Sequence, residues 1–103
     1  MNSHVTRRLD DVIAACVRHH VQRLSLFGSA TGDRFRPGES DIDFVVEFQP
    51  LELGQYAEAY FGLIEHLEGI FGAEIDLIER SAIRNPYFLE AVEGSEIQLF
   101  DAA

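Results

Sequence analysis

Residues 41–48 read Asp-Ile-Asp-Phe-Val-Val-Glu-Phe, and no other stretch limits the fold of this chain so sharply. Side chains two apart on a strand share a face. Ile42, Phe44 and Val46 therefore point one way, and Asp41, Asp43, Val45 and Glu47 the other. If the first set packs inward, the two carboxylates look onto an open surface or cleft. A short apolar run, Leu24–Phe27, precedes them and closes on Gly28-Ser29. A third acid, Asp76, recurs in the same setting within Glu74-Ile75-Asp76-Leu77-Ile78.

The rest of the chain reads as helices alternating with strands. Residues 5, 9, 12, 13, 16 and 17 are apolar at a helical period, which predicts a helix over Val5–His20, capped by Ser3 or Thr6. Strands are expected over 24–27, 42–48 and 75–78. Residues 31–39 hold two glycines, a proline and several charges, and read as a loop or a poor helix start. Leu53–Phe71 predicts a long helix that Gly72 stops. A further helix is expected over 82–92 with Pro86 near its start, then a turn at Gly94-Ser95, and over 97–100 a short last strand or an extended tail. The pattern predicts an α/β (α+β) domain, a small β-sheet covered by helices, occupying 1–103 as one unit.

Composition narrows the chemistry. The chain has 103 residues with a formal charge of −10, eight arginines and no lysine. Such acidity repels nucleic acid phosphates, whose binding draws on clustered Lys and Arg. It suits either solubility or a basic protein partner. No apolar run approaches the ~20 residues of a membrane span, and the polar start lacks the apolar stretch of a secretory signal. A single cysteine, Cys16, excludes an internal disulfide framework and a cysteine-based zinc site. A cytoplasmic location is the expectation.

Asp is depleted in strands, so two aspartates flanking Ile42 ask for a reason. Carboxylates held close raise each other's pKa unless a cation intervenes. Mg²⁺ takes hard oxygen ligands, often one or two carboxylates plus substrate phosphates. Two such ions can clamp the attacking and leaving oxygens of an in-line phosphoryl displacement. Gly28, lacking a Cβ, lets backbone N–H groups approach a phosphate, and the Ser29 hydroxyl can donate to one. Arg34 and Arg36 can neutralise a triphosphate.

Leu26-Phe27-Gly28-Ser29 followed by Arg36-Pro37-Gly38-Glu39-Ser40-Asp41-Ile42-Asp43-Phe44-Val45-Val46 resembles the DNA polymerase beta-like nucleotidyltransferases. Short length and Asp76 make it most similar to their minimal nucleotidyltransferase (MNT) branch. The resemblance implies a small mixed β-sheet flanked by helices, and that Gly28, Ser29, Ser40 and Arg36 bind the nucleotide. It implies that Asp41, Asp43 and Asp76 hold two Mg²⁺ ions, with Asp76 helping to deprotonate the acceptor. ATP is the implied substrate, and transfer of AMP to a hydroxyl with release of pyrophosphate the implied reaction. Minimal members are similar to antitoxins paired with a HEPN-domain toxin, which implies a tyrosine of such a toxin as acceptor. The chain departs from the family where Ala30-Thr31-Gly32-Asp33 replaces a small-Arg-Gly segment, which bears on the placing of Arg34 and Arg36.

Two other functions fit the same residues: a catalytically idle module that neutralises a toxin by contact, and a small-molecule transferase of the aminoglycoside kind, for which a homo-oligomer would supply the cleft. His4, His19, His20 and His66 lack metal-ligand spacing, and His19-His20 reads as a surface pair at a helix end. Cys16 lies on the apolar helix face and is expected in the core. Tyr56, Tyr60 and Phe61 mark an amphipathic helix from which Tyr60 could reach a partner. Tyr87 and Phe88 read as packing residues, and Glu39 as a solvated loop residue.

Overall fold

A computed structural model of the chain describes residues 3–32, 36 and 39–102. Helices α1 (Ser3–Thr6) and α2 (Leu9–Arg18) lead into strand β1 (Val21–Phe27), a 3₁₀ turn (Gly28–Thr31) and β2 (Ile42–Phe48). Helix α3 (Leu53–Phe71), β3 (Ile75–Glu79), a second 3₁₀ turn (Arg80–Ala82), α4 (Pro86–Ser95) and β4 (Ile97–Asp101) follow. The four strands form one sheet in the order β3-β2-β1-β4. β1 runs antiparallel to β2 and to β4, while β2 and β3 are parallel. The sheet is therefore mixed, as the family resemblance implies. Among the described residues no helix is long and apolar enough to cross a membrane.

The core lies on one side of this sheet. Leu24, Leu26, Ile42, Phe44, Val46 and Leu77 face Val12, Ala15 and Cys16 of α2 and Leu63, Leu67 and Phe71 of α3. A bulge between Val21 and Arg23 lets Val21 and Leu24, three apart, both enter it. Cys16 is buried as expected, and desolvation pushes its thiol up to about 12, so it stays protonated and inert. Helix α3 keeps its expected bounds. At its start Glu52 N donates to Gln55 Oε1 (2.9 Å), and at its end Gly72, at φ 61°, donates its N–H to Glu68 O (2.8 Å).

Three expected boundaries move. The single helix over Val5–His20 is two, broken at Arg7–Arg8. Arg8 leaves helical geometry (φ −108°, ψ 9°), and its guanidinium donates to His4 O and to Ile70 O near the end of α3. β1 begins at Val21, three residues early, because His20 takes a left-handed conformation (φ 61°) and turns the chain straight from helix into strand. The last helix starts at Pro86 and runs through Gly94-Ser95, where a turn was expected. Asn85 sets its start: its side chain accepts from Tyr87 N (2.9 Å) and Phe88 N (3.3 Å), and a residue before proline avoids helical geometry. Its last turn closes with Ser95 Oγ donating to Ala91 O (2.8 Å).

Candidate active site

The candidate site stands on the other face of the sheet, where β1 ends and β2 and β3 begin. Register alone brings it together. Phe27 pairs with Asp43 across the antiparallel ladder, and Asp43 pairs with Asp76 across the parallel one. The end of β1, Asp43 and Asp76 thus lie in one row across three strands. Gly28 ends β1 at φ 74°, a conformation that L side chains rarely adopt. The space is as restrictive as the angle: a Cβ on Gly28 would lie 2.4 Å from Asp43 Oδ2. The 3₁₀ turn that follows is fixed by Thr31 Oγ1 donating to Gly28 O (2.7 Å).

The carboxylates are coupled. Burial pushes the Asp43 carboxyl up to about 6, and the charges of Asp76 and Asp41 and a hydrogen bond with Asp76 push the same way. Two carboxylates held this close favour a cation between them. Among the described residues no group of three or more His, Cys, Asp or Glu side chains is arranged to hold a metal ion. What the fold brings into contact is the Asp43–Asp76 pair, while Asp41 stands exposed just before β2 and acts on Asp43 through its charge. Two carboxylates of this kind match the number that Mg²⁺ commonly takes from protein, with phosphate oxygens filling its remaining positions.

The other nucleotide-binding residues suggested by the sequence flank this row in the chain: Ser29 follows Gly28, and Ser40 precedes Asp41. Ser40 Oγ accepts from Arg36 N (3.1 Å), and Ser40 N donates to Arg36 O (2.9 Å), so the two close a turn on each other before β2. The Arg36 side chain is exposed, and Ser29 is half-buried beside Gly28. Arg34 lies outside the described residues.

Below the carboxylates the same face is tied by charge. Arg80, just after β3, bonds both oxygens of Glu96 (2.6 Å each), and Ser25 Oγ donates to Glu96 Oε1 (3.0 Å). Glu47 pairs with Arg23 and stands 2.9 Å from Arg80 Nε. Burial raises the Glu96 carboxyl, but the hydrogen bonds from Arg80 and Ser25 and the charges of Arg80 and Arg23 outweigh it and hold it below the usual range. Val45 is only 1% exposed although it shares the polar face. Val92 of α4 is equally buried, and Phe88 of α4 meets Phe27 edge-on (6.2 Å), so α4 covers this part of the sheet. The alternation of β2 pointed to Glu47, but nothing local pairs it with residues 23, 80 and 96. The histidines also differ from expectation: His19 pairs with His66 of α3 (Nε2···Nδ1 3.1 Å), in space that Gly62 leaves open.

Comparison with known proteins fits this geometry. The nucleotidyltransferase domain family model matches residues 9–97. A candidate protein adenylyltransferase of Methanocaldococcus jannaschii is 42% identical over 77 residues, which span 74% of each chain. A solved structure of a candidate minimal nucleotidyltransferase superposes with a TM-score of 0.74 at 28% identity, covering 90% of both chains. A chain of the complex between a tri-AMPylated Shewanella oneidensis HEPN toxin and an MNT antitoxin shares the fold (TM-score 0.64, 19% identity, 94% of this chain and 72% of that one). The family match and the shared mixed sheet define a nucleotidyl-transferring class of protein. The chain belongs to the nucleotidyltransferase domain family.

Proposed function

We propose that this chain transfers AMP from ATP to a tyrosine hydroxyl of a partner protein, a HEPN-type toxin, and thereby acts as its antitoxin. One observation carries the reading: Asp43 and Asp76 touch directly beneath a glycine whose missing Cβ keeps the space above Asp43 open. Two carboxylates held in contact repel each other unless a cation intervenes, and such perturbed pairs cluster at functional sites. The resemblance to a protein adenylyltransferase at 42% identity supports a protein acceptor, and so does the net charge of −10.

In this reading Gly28 and Ser29 present backbone N–H groups and a hydroxyl to the triphosphate. Two Mg²⁺ ions held by Asp41, Asp43 and Asp76 would neutralise charge at the attacking and leaving oxygens. Asp76, at the outer end of the row, accepts the proton of the acceptor hydroxyl. The acceptor oxygen bonds to the α-phosphorus, the bond to the bridging oxygen breaks, and pyrophosphate leaves. Most of the acceleration comes from positioning and charge. Co-expression with the protein encoded beside it, followed by mass spectrometry of that protein, is the test. A gain of one AMP that disappears with Asp41→Ala is the expected result, and an unmodified partner that is nonetheless neutralised overturns catalysis as the mechanism.

A further inference from the structure

The strand order leaves the outer side of β3 without a neighbouring strand, and β3 carries Asp76. Ile42 N donates to Glu74 O, so Glu74 points into the sheet. By alternation Ile75, Leu77 and Glu79 turn their amides outward. Such an edge ordinarily invites another strand. Here Tyr60 of α3 obstructs it, its hydroxyl donating to the Leu77 carbonyl at 2.6 Å. What remains is a side-chain groove of about 360 Å³ lined by Tyr60, Leu77, Ile78, Glu79 and Ala82, starting one residue beyond Asp76.

The groove continues onto α3. At 3.6 residues per turn, positions 53, 57, 60, 61 and 64 share one flank of the helix. Leu53 is 92% and Phe61 66% exposed, and Phe61 meets the Tyr60 ring edge-on at 5.2 Å. Single exposed apolar residues are ordinary, but these lie on the side of α3 that borders the groove. The surroundings are acidic. Asp76 stands one residue before the groove and Glu79 lines it. Arg23 and Arg80 are engaged with Glu47 and Glu96 on the other face of the sheet.

We propose that this groove and the adjoining flank of α3 dock the acceptor: a basic segment of a second protein, whose apolar side chain enters between Tyr60 and Ala82 and whose hydroxyl reaches Asp76. The inference rests on the transferase reading and adds where the acceptor sits. Charge complementarity selects the occupant. A second copy of this chain would bring another −10 to the contact, and a nucleic acid would meet the same repulsion.

Two synthetic peptides test it, each with one tyrosine, flanked in one by Arg and Leu and in the other by Glu and Ser. Binding is read by fluorescence anisotropy, and transfer by labelled AMP from ATP with Mg²⁺. The Arg/Leu peptide is expected to bind about tenfold more tightly than the other. Ala82→Trp, which fills the groove, and Phe61→Ser, at an exposed site, should each weaken that binding about tenfold and raise the peptide KM while kcat holds. Equal binding of the two peptides, or unchanged binding in both variants, overturns the groove. Groove-dependent binding without any transfer supports the groove and overturns the transferase reading instead. A chain that sediments as a dimer, dissociated by Ala82→Trp, assigns the groove to a second copy and overturns the proposal.

Discussion

On one side of the sheet Leu24, Leu26, Ile42, Phe44 and Val46 meet α2 and α3 with no solvent left at any of them. On the other side the same strands carry Ser25, Asp43 and Glu47, and a single helix, α4, covers part of the surface. The packed face gains from every contact. The site face holds Asp43 at a protonation balance that no isolated carboxylate would choose. The packed side holds the strands in register, and that register sets Asp43 beside Asp76 and beneath Gly28. Stability and chemistry are divided between alternate residues of β2, so neighbouring substitutions should have opposite signatures.

The largest contrast is between Asp43 and Phe44. Asp43→Asn should lower AMP transfer on the order of 10³-fold, measured with labelled ATP, while leaving the fold intact. Phe44→Ala should instead cost about 3–5 kcal/mol of stability, read by urea denaturation, since Phe44 is fully buried and faces Phe71 at 6.1 Å. Gly28→Ala comes next and belongs to the site face. The added methyl would have to displace the Asp43 carboxylate, and a shift of that size should reduce transfer about 10²-fold, at a stability cost of only about 1–2 kcal/mol. Arg80→Ala leaves Glu96 with the Ser25 hydroxyl but no cation and should cost about 1–3 kcal/mol. Glu96 sits below its ordinary pKa, so its contribution is present above 4.5 and lost as the pH falls. The Arg80→Ala chain should therefore lose part of the acid sensitivity of its unfolding. The smallest effect is the pH slope of the metal-free protein. Asp43 is raised from 3.8 to about 6, so its contribution to stability is full below 3.8 and is lost as the pH climbs through about 6. Thermal melts across that range should show the decline, and Asp43→Asn should flatten it.

The sequence showed most of the fold through periodicity. The β2 alternation separated core from site, and the bounds of α3 followed from its apolar spacing and Gly72. The row Gly28–Asp43–Asp76 was legible because each member ends or opens an apolar run. What stayed hidden depended on tertiary contact. The break at Arg8 follows from a guanidinium reaching Ile70, 62 residues away in sequence. The Arg80–Glu96–Ser25 tie joins three elements, and no local pattern announces it. Asn85-Pro86 was a readable start signal for α4 that apolar spacing overrode. His19 found His66 rather than His20 because Gly62 of α3 leaves room for its ring.

The claim that the carboxylate pair exists for transfer and not for folding is tested most directly by one paired measurement on Asp43→Asn: its melting temperature without metal and its AMP transfer, both against the unaltered chain at neutral pH. The melting temperature should be equal or higher, because like-charge repulsion is relieved, and transfer should be lost. A lower melting temperature, or transfer that survives, would contradict it.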